Sequence, residues 1–102
     1  MHARVTQVRI LPGKLEDFVH AVHSILPLAR QQAGFRALVV LRTAQAPVAE
    51  AMSVAVWDSL ADLKASEKNL FFYQALSRVL TLCEGFPRIS EYEVLVSEFA
   101  AD

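Results

Sequence analysis

Residues 35–42 read Phe-Arg-Ala-Leu-Val-Val-Leu-Arg, and residues 50–57 read Glu-Ala-Met-Ser-Val-Ala-Val-Trp. Their length and their content of β-branched and aromatic side chains predict two β-strands. Side chains of a strand point alternately to its two faces, and in both stretches most positions on either face are apolar. A sheet covered by helices on one side only normally carries polar residues on the other. The two strands therefore predict a sheet whose second face also needs a cover, and a second copy of the chain is the simplest one.

The composition agrees with this reading. Hydrophobic residues make up 54% of the 102 residues, and the mean hydropathy is +0.32. An ordinary soluble domain contains about 45–50% apolar residues. A chain of this length forms one domain, residues 1–102, with a core of modest size.

Charge and cysteine content exclude several classes of partner. A formal net charge of −1 and an isoelectric point near 6.3 disfavour binding to a nucleic-acid backbone or to an anionic membrane. The apolar stretches are shorter than the roughly 20 residues that cross a bilayer. The single cysteine, Cys83, cannot form an internal disulfide, and no leader of signal-peptide form precedes the first strand. We therefore expect a cytoplasmic protein with no nucleic-acid or membrane partner.

The first half of the chain predicts a strand and a long helix. Residues 3–11 form the strand, which ends at the turn signal Pro12-Gly13. Residues 14–33 form the helix, with Gly34 as its C-terminal cap and with Pro27 predicting a kink or a break. Apolar residues recur in this helix at spacings of three and four and predict one buried stripe. The stripe consists of Leu15, Phe18, Val19, Val22, Ile25, Leu26 and Ala29.

The second half predicts two helices between the third and fourth strands. The polar, alanine-rich residues 43–49 form a loop, and a helix over 59–68 begins at the capping-box pattern Ser59-x-x-Asp62. A longer helix over 70–84 carries Cys83 on its buried stripe and is closed by Gly85 and Pro87. The fourth strand covers residues 89–96.

The order of elements defines a fold class. Strand-helix-strand occurs twice, and right-handed crossovers place the helices on one face of a four-stranded antiparallel sheet. This is the α+β, ferredoxin-like β-α-β-β-α-β arrangement. It leaves the other face bare, so a homodimer formed through that face is expected.

Four short segments occur in the order and spacing of a known family. They are Leu11-Pro12-Gly13-Lys14 before the first helix, Gly34-Phe35 at the second strand, Val56-Trp57-Asp58-Ser59 after the third, and Tyr92-Glu93-Val94 in the fourth. The chain thus resembles the antibiotic-biosynthesis-monooxygenase-type domains of the dimeric α+β barrel class. The resemblance implies a homodimer with a shared barrel and a small-molecule pocket between each sheet and its own helices. Some relatives oxygenate phenolic or quinol-type substrates without metal or flavin, and others degrade haem or isomerise small hydroxy-ketones.

The chain departs from the family pattern at several pocket positions. Trp57 matches the tryptophan that lines the pocket of the polyketide-oxygenating relatives, but Ser53 replaces their asparagine and Leu63 their tyrosine. Phe71-Phe72 stands where many relatives have His-Phe or His-Tyr. Haem degraders use an asparagine on the first strand, a tryptophan on the short helix and a histidine on the long one. This chain has other residues at those places, so haem degradation is not expected.

The resemblance and the residue types together give a candidate site without metal or cofactor. The residues expected to shape the cavity are Trp57, Phe72 and Tyr92, and those expected to hydrogen-bond the substrate are Thr6 and Ser53. His23 and Tyr73 are the candidates for proton transfer, because catalysis without a cofactor needs a base near neutral pKa. For each aromatic residue and for His23, a purely structural role is the open alternative. The strand arginines Arg9, Arg36 and Arg42 either face an anion in the pocket or form ion pairs at the strand ends, and the register decides which.

Three functions fit this sequence. The first is a cofactor-independent monooxygenase acting on a small, electron-rich aromatic or quinol-type molecule. The second is a non-catalytic binding or dimeric assembly module, which the missing family histidine and asparagine favour. The third is a cofactor-free isomerase. No spacing of His, Cys, Asp and Glu predicts a metal site, and each of the three glycines has a turn or a cap to explain it.

Overall fold

The computed structural model describes residues 1–43 and 50–100, so most of the loop expected over 43–49 lies outside the described residues. Seven elements follow each other along the chain. They are β1 (His2–Ile10), α1 (Leu15–Arg30), β2 (Phe35–Arg42), β3 (Glu50–Trp57), α2 (Leu60–Ser66), α3 (Leu70–Leu80) and β4 (Cys83–Glu93). No helix within the described ranges is long and apolar enough to cross a membrane.

The four strands form one antiparallel sheet in the order β2-β3-β1-β4. The two central strands are the first of each half, and each crossover passes over the other central strand to reach the edge strand beyond it. All three helices therefore lie on one face of the sheet. This confirms the ferredoxin-like fold class.

Strands β2 and β3 have the predicted bounds, and α1 is shorter than the predicted 14–33. Helix α1 is also not broken at Pro27, which lies inside it. The helix buries Phe18 before the proline and Ala29 after it. Packing on both sides of Pro27 holds the helix against the sheet, which offsets the loss of one backbone hydrogen bond.

The end of α3 and the start of β4 differ from the prediction of a helix over 70–84 and a strand over 89–96. Helix α3 ends at Leu80, and β4 begins at Cys83, which pairs with Ile10. The register with β1 shifts between the pairs Arg9–Glu84 and Gln7–Arg88, and Gly85, which lies within that shift, has a φ of +66°. Gly85 therefore allows an irregular pairing within a strand. In the sequence, a glycine at such a position looks the same as a glycine that ends a helix.

Cys83 consequently belongs to a strand, although the sequence predicted it on a helix. Its side chain packs in the core with Val8, Ile10, Phe18 and Ala51. Burial raises the pKa of the Cys83 thiol. The thiol is therefore protonated near neutral pH and behaves as a small apolar group.

The N-terminus of α2 has the predicted cap. Ser59 is its N-cap residue, and the Ser59 Oγ accepts a hydrogen bond of 3.1 Å from the backbone N–H of Asp62. Helix α3 begins differently, because the side chain of its N-cap residue, Asn69, makes no capping hydrogen bond. A side-chain hydrogen bond thus caps the first turn of α2 but not that of α3.

Replacing Ser59 by alanine tests this difference. Ser59→Ala leaves the N–H of Asp62 without its acceptor and should lower the free energy of unfolding by about 1 kcal/mol. Asn69→Ala is the matched control and should cost less than half as much, because it removes only an exposed hydrogen bond to Gln32. Urea denaturation of both variants gives the comparison. Equal losses would contradict the assigned cap.

The sheet has two different faces. The register aligns Val39, Val54 and Val5 in one row on the side opposite the helices, called here the open face. Val39 is 47% exposed and Leu41, on the same face, is 49% exposed. The apolar residues of the open face are Ala37, Val39, Leu41, Met52, Val54, Val56, Ala3 and Val5. The second apolar face expected from the sequence is therefore present.

Candidate active site

A cavity of about 100 Å³ lies between the helix-facing side of the sheet and helices α1 and α3. Side chains from all four strands and both helices line it. They are Arg4, Thr6, Ile25, Ala29, Phe35, Leu38, Ser53, Ala55, Trp57, Phe71, Phe72, Ala75, Leu76, Val79 and Ile89. Arg4 is the only charged residue among these described lining residues. The cavity is therefore apolar, with a few polar groups at defined places.

Thr6 and Ser53 provide two hydroxyl groups at the sheet surface of the cavity. They pair directly across β1 and β3, so their side chains lie side by side on the same face. Both are half-buried, and both line the cavity. Their pairing follows from the alternation of strand residues, because every second residue of β1 from Arg4 onward faces the helices.

Trp57 and Phe72 also line this cavity. Trp57 ends β3 and is only 1% exposed, and its ring meets Phe35 edge to face with centroids 5.4 Å apart. The buried Trp57 Nε1–H has no hydrogen-bond acceptor among the described residues. A buried donor without an acceptor is costly and uncommon in a folded protein.

Arg4 brings a buried positive charge into the cavity. The side chain is 8% exposed, and its guanidinium carbon lies 4.7 Å from the centroid of Phe72 and 5.8 Å from that of Trp57. The Arg4 Nη1 donates to the Ser66 Oγ at 3.3 Å and to the Glu67 Oε1 at 3.5 Å. Desolvation lowers the pKa of Arg4, and the nearby Glu67 carboxylate opposes that change. The guanidinium remains charged, because arginine does not lose its proton in proteins even when it is buried.

A small charge cluster surrounds Arg4 outside the cavity. The Lys64 Nζ lies 4.0 Å from Glu67 and donates a hydrogen bond to Glu91. That hydrogen bond raises the pKa of Lys64. The two cations and two carboxylates connect α2 with β1 and β4, and they give Arg4 a structural partner on the solvent side.

The other three predicted site residues lie elsewhere. His23 is exposed and lines a separate apolar groove of about 510 Å³ between α1 and β2, which shares Leu38 with the cavity. Tyr73 is 59% exposed and lines a shallow depression along α3. Tyr92 pairs with Ala3, so it projects from the open face, away from the helices. The structure thus brings together Thr6, Ser53, Trp57 and Phe72 but does not bring His23, Tyr73 or Tyr92 into the same cavity.

Arg4 is the site residue that sequence reasoning missed. The strand arginines considered there were Arg9, Arg36 and Arg42. Arg9 and Arg36 form exposed ion pairs, with Glu50 and Asp58 respectively. A usable signal was present, because Arg4 stands two residues before Thr6 and must share its face within a regular strand.

The described residues contain no group of three or more His, Cys, Asp and Glu side chains that could hold a metal ion. What the cavity offers chemically is an apolar space with aromatic walls, two neighbouring hydroxyls and a guanidinium. These groups suit a flat, apolar molecule with acceptor oxygens.

The family of the chain follows from a direct match. The family model described as antibiotic biosynthesis monooxygenase matches residues 1–76. The chain therefore belongs to this family. No curated protein has a sequence that matches it.

Solved structures of low sequence identity share the fold. A cofactor-independent oxygenase from Streptomyces nogalater, SnoaB, in a variant form, is 12% identical and superposes with a TM-score of 0.81 over 94% of both chains. A protein described as a putative antibiotic biosynthesis monooxygenase from Deinococcus radiodurans is 16% identical, with a TM-score of 0.79 over 100% of both chains. A Nitrosomonas europaea protein of the same description is 14% identical, with a TM-score of 0.79, over 94% of this chain and all of its own. At these identities the likeness establishes the fold.

Proposed function

We propose that the chain is a cofactor-independent monooxygenase of small aromatic or quinol-type molecules, which bind in the cavity beside Trp57. The observation that carries the proposal is a cavity that combines aromatic walls with the paired hydroxyls of Thr6 and Ser53. Membership of the family and the fold shared with a cofactor-independent oxygenase support the same chemistry.

The proposed reaction needs little from the protein beyond positioning and electrostatics. A deprotonated substrate donates an electron to dioxygen itself. One oxygen atom then enters the product, and the other leaves as water with two hydrogens taken from the substrate. Thr6 and Ser53 would hold the substrate oxygen, while Trp57 and Phe72 would fix the ring and exclude water. His23, in the adjoining groove, is the candidate for removing the proton.

The size of the cavity restricts the substrate. A cavity of about 150 Å³ in another protein binds benzene, so a cavity of about 100 Å³ has no room for a fused tricyclic molecule and takes a substituted single ring only with part of it at the cavity mouth. Hydroquinones are therefore the preferred test substrates, and anthrone-like molecules are the comparison.

Oxygen consumption with hydroquinones tests the proposal. The double variant Thr6→Val with Ser53→Ala removes both hydroxyls at nearly constant volume, and substrate-dependent oxygen uptake should fall at least about tenfold. Ser90→Ala is the matched control, because Ser90 pairs with Val5 and projects from the open face. Trp57→Phe should reduce uptake as well, since it changes the wall of the cavity while keeping an aromatic ring.

Two outcomes would contradict the oxygenase proposal. If hydroquinones raise the melting temperature but no oxygen is consumed, the chain is a binding module, because a ligand of the native state stabilises it without turnover. The absence of an imidazole or a carboxylate among the described residues lining the cavity favours this second candidate. Product formed without oxygen would instead indicate an isomerase.

We also propose that two copies associate through their open faces. The face is apolar at its centre, and Val39, Leu41 and Tyr92 are all about half exposed. The residues after β4 add further apolar surface, since Leu95, Val96 and Phe99 are each at least 70% exposed. Apolar patches of this kind are rare on monomers and are typical of interfaces between identical chains.

The cytoplasm is the proposed location, and neither nucleic acid nor membrane is proposed as a partner. A single buried Cys83 suits a reducing compartment. The near-neutral net charge gives no attraction to polyanionic surfaces.

A further inference from the structure

Two side chains that line the cavity, those of Trp57 and Arg4, carry hydrogen-bond donors without sufficient acceptors. The Trp57 Nε1–H is fully buried and has no partner among the described residues. The guanidinium of Arg4 has five N–H groups, yet within residues 1–43 and 50–100 it forms hydrogen bonds through Nη1 alone. Both side chains line the same cavity. The site is thus rich in donors and poor in acceptors.

The existing contacts of Arg4 are weak for a charge so deeply buried. Hydrogen bonds from N–H to oxygen are usually 2.7–3.2 Å long, whereas those of Nη1 to Ser66 and Glu67 are 3.3 and 3.5 Å. Glu67 does not line the cavity and is 25% exposed, so its carboxylate faces the solvent side of the guanidinium. On the cavity side, the guanidinium of Arg4 has aromatic neighbours. The carboxylate of Glu67, outside the cavity, compensates its charge.

The remaining walls do not supply an anion. Around Arg4 the described lining residues carry hydroxyl, aromatic and aliphatic groups but no carboxylate. A guanidinium presents a planar fork of donors that matches the two oxygens of a carboxylate, and such paired contacts are among the strongest hydrogen bonds in proteins. A phenolate offers only one oxygen atom to the same fork.

We propose that the cavity recognises a single-ring aromatic carboxylate, whose carboxylate oxygens accept hydrogen bonds from the Arg4 guanidinium and the Trp57 Nε1–H. The ring packs among Leu38, Leu76 and Val79, and a ring hydroxyl reaches Thr6 and Ser53. This inference rests on the proposed function, because it names the substrate class of the same cavity. It assigns to Arg4 a binding role in addition to its link with α2.

Trp57 makes the proposal directly measurable, because it is the only tryptophan of the chain and its fluorescence reports on the cavity. The protein is titrated under nitrogen with 4-hydroxybenzoate and with 4-hydroxybenzamide, a neutral molecule of nearly the same shape. We expect the acid to bind at least about tenfold more tightly than the amide, since only the carboxylate offers two charged oxygens to the paired donors of the guanidinium.

Variants of Arg4 and Glu67 test whether Arg4 binds the negative charge of the ligand carboxylate. Arg4→Met should abolish the preference for the acid, because it lowers the affinity for the acid far more than the affinity for the amide. Glu67→Gln should strengthen binding of the acid severalfold, because it removes the anion that competes for the guanidinium. Glu84→Gln is the matched control on an exposed carboxylate and should change neither affinity.

The outcomes separate this inference from the oxygenase proposal. Equal affinity for acid and amide, no binding of either, or a preference that survives Arg4→Met overturns the inference. If Arg4→Met does not fold, an acid affinity that is unchanged or lower in Glu67→Gln overturns it. A clear preference for the acid without any oxygen uptake supports this inference and contradicts only the oxygenase proposal. Oxygen uptake that is as fast with the amide as with the acid supports the oxygenase proposal and overturns this inference.

Discussion

Val39→Glu should convert the proposed homodimer into a monomer at micromolar concentration. Val39 lies in the central row of the open face, where it pairs with Val54. In the proposed dimer a glutamate at this position would be buried against apolar side chains, and two-fold symmetry introduces it twice. Burying an unpaired carboxylate costs on the order of 3–5 kcal/mol. The dimer dissociation constant should therefore rise by about a hundredfold or more, at 1.4 kcal/mol for each factor of ten.

Val19→Glu is the matched control for this experiment. Val19 is 44% exposed on helix α1, close to the 47% of Val39, so both glutamates are equally solvated in a single chain. Light scattering coupled to size exclusion gives the mass of each variant. We expect a monomer for Val39→Glu and a dimer for Val19→Glu. A wild-type protein that is already monomeric, or a Val39→Glu protein that stays dimeric, would contradict association through the open face.

Gly34→Ala should destabilise the fold by about 2–4 kcal/mol. Gly34 connects α1 to β2 with a φ of +78°, a conformation that costs an alanine about 1–2 kcal/mol. A Cβ at this position would also lie 2.7 Å from the Cβ of Asp62 and closer still to its carboxylate. The Asp62 Cβ cannot move away freely, because the Asp62 N–H is held by the cap at Ser59. Backbone strain and steric overlap therefore add.

Gly13→Ala separates these two contributions. Gly13 has nearly the same φ, +76°, but a Cβ there would meet no atom within 4 Å. The free energy of unfolding of Gly13→Ala should fall only by the cost of the backbone conformation, about 1–2 kcal/mol. Urea denaturation of the two variants gives the difference, which measures the overlap with Asp62. The same loss of stability in both variants would show that the contact with Asp62 is relieved at little cost.

Much of the fold could be predicted from the sequence where local chemistry and tertiary structure agree. Strands β2 and β3 have unambiguous ends, since Gly34 precedes the first and the capping residue Ser59 follows the second. The boundary near Gly85 could not be predicted in the same way. A glycine after an apolar stripe fits both a helix end and an irregular strand, and only pairing with β1 decides between them.

The candidate site was less predictable because side-chain direction depends on register. A shift of one residue would have exchanged Thr6 for Val5 in the cavity, and no local signal fixes the pairing of distant strands. The aromatic residue Trp57 was found from the family pattern. Arg4 was missed because a charged residue in a strand is expected at the surface, whereas here its guanidinium lies against the Phe72 ring.

The alternation of β1 has a consequence for how this protein can diverge. Arg4 and Thr6 contact the cavity, while Ala3 and Val5, their immediate neighbours in the chain, belong to the opposite surface. Mutations at even positions can therefore alter the cavity without touching the open face, and mutations at odd positions can change the open face without altering the cavity. One short segment thus holds two interleaved sets of positions on which selection can act separately.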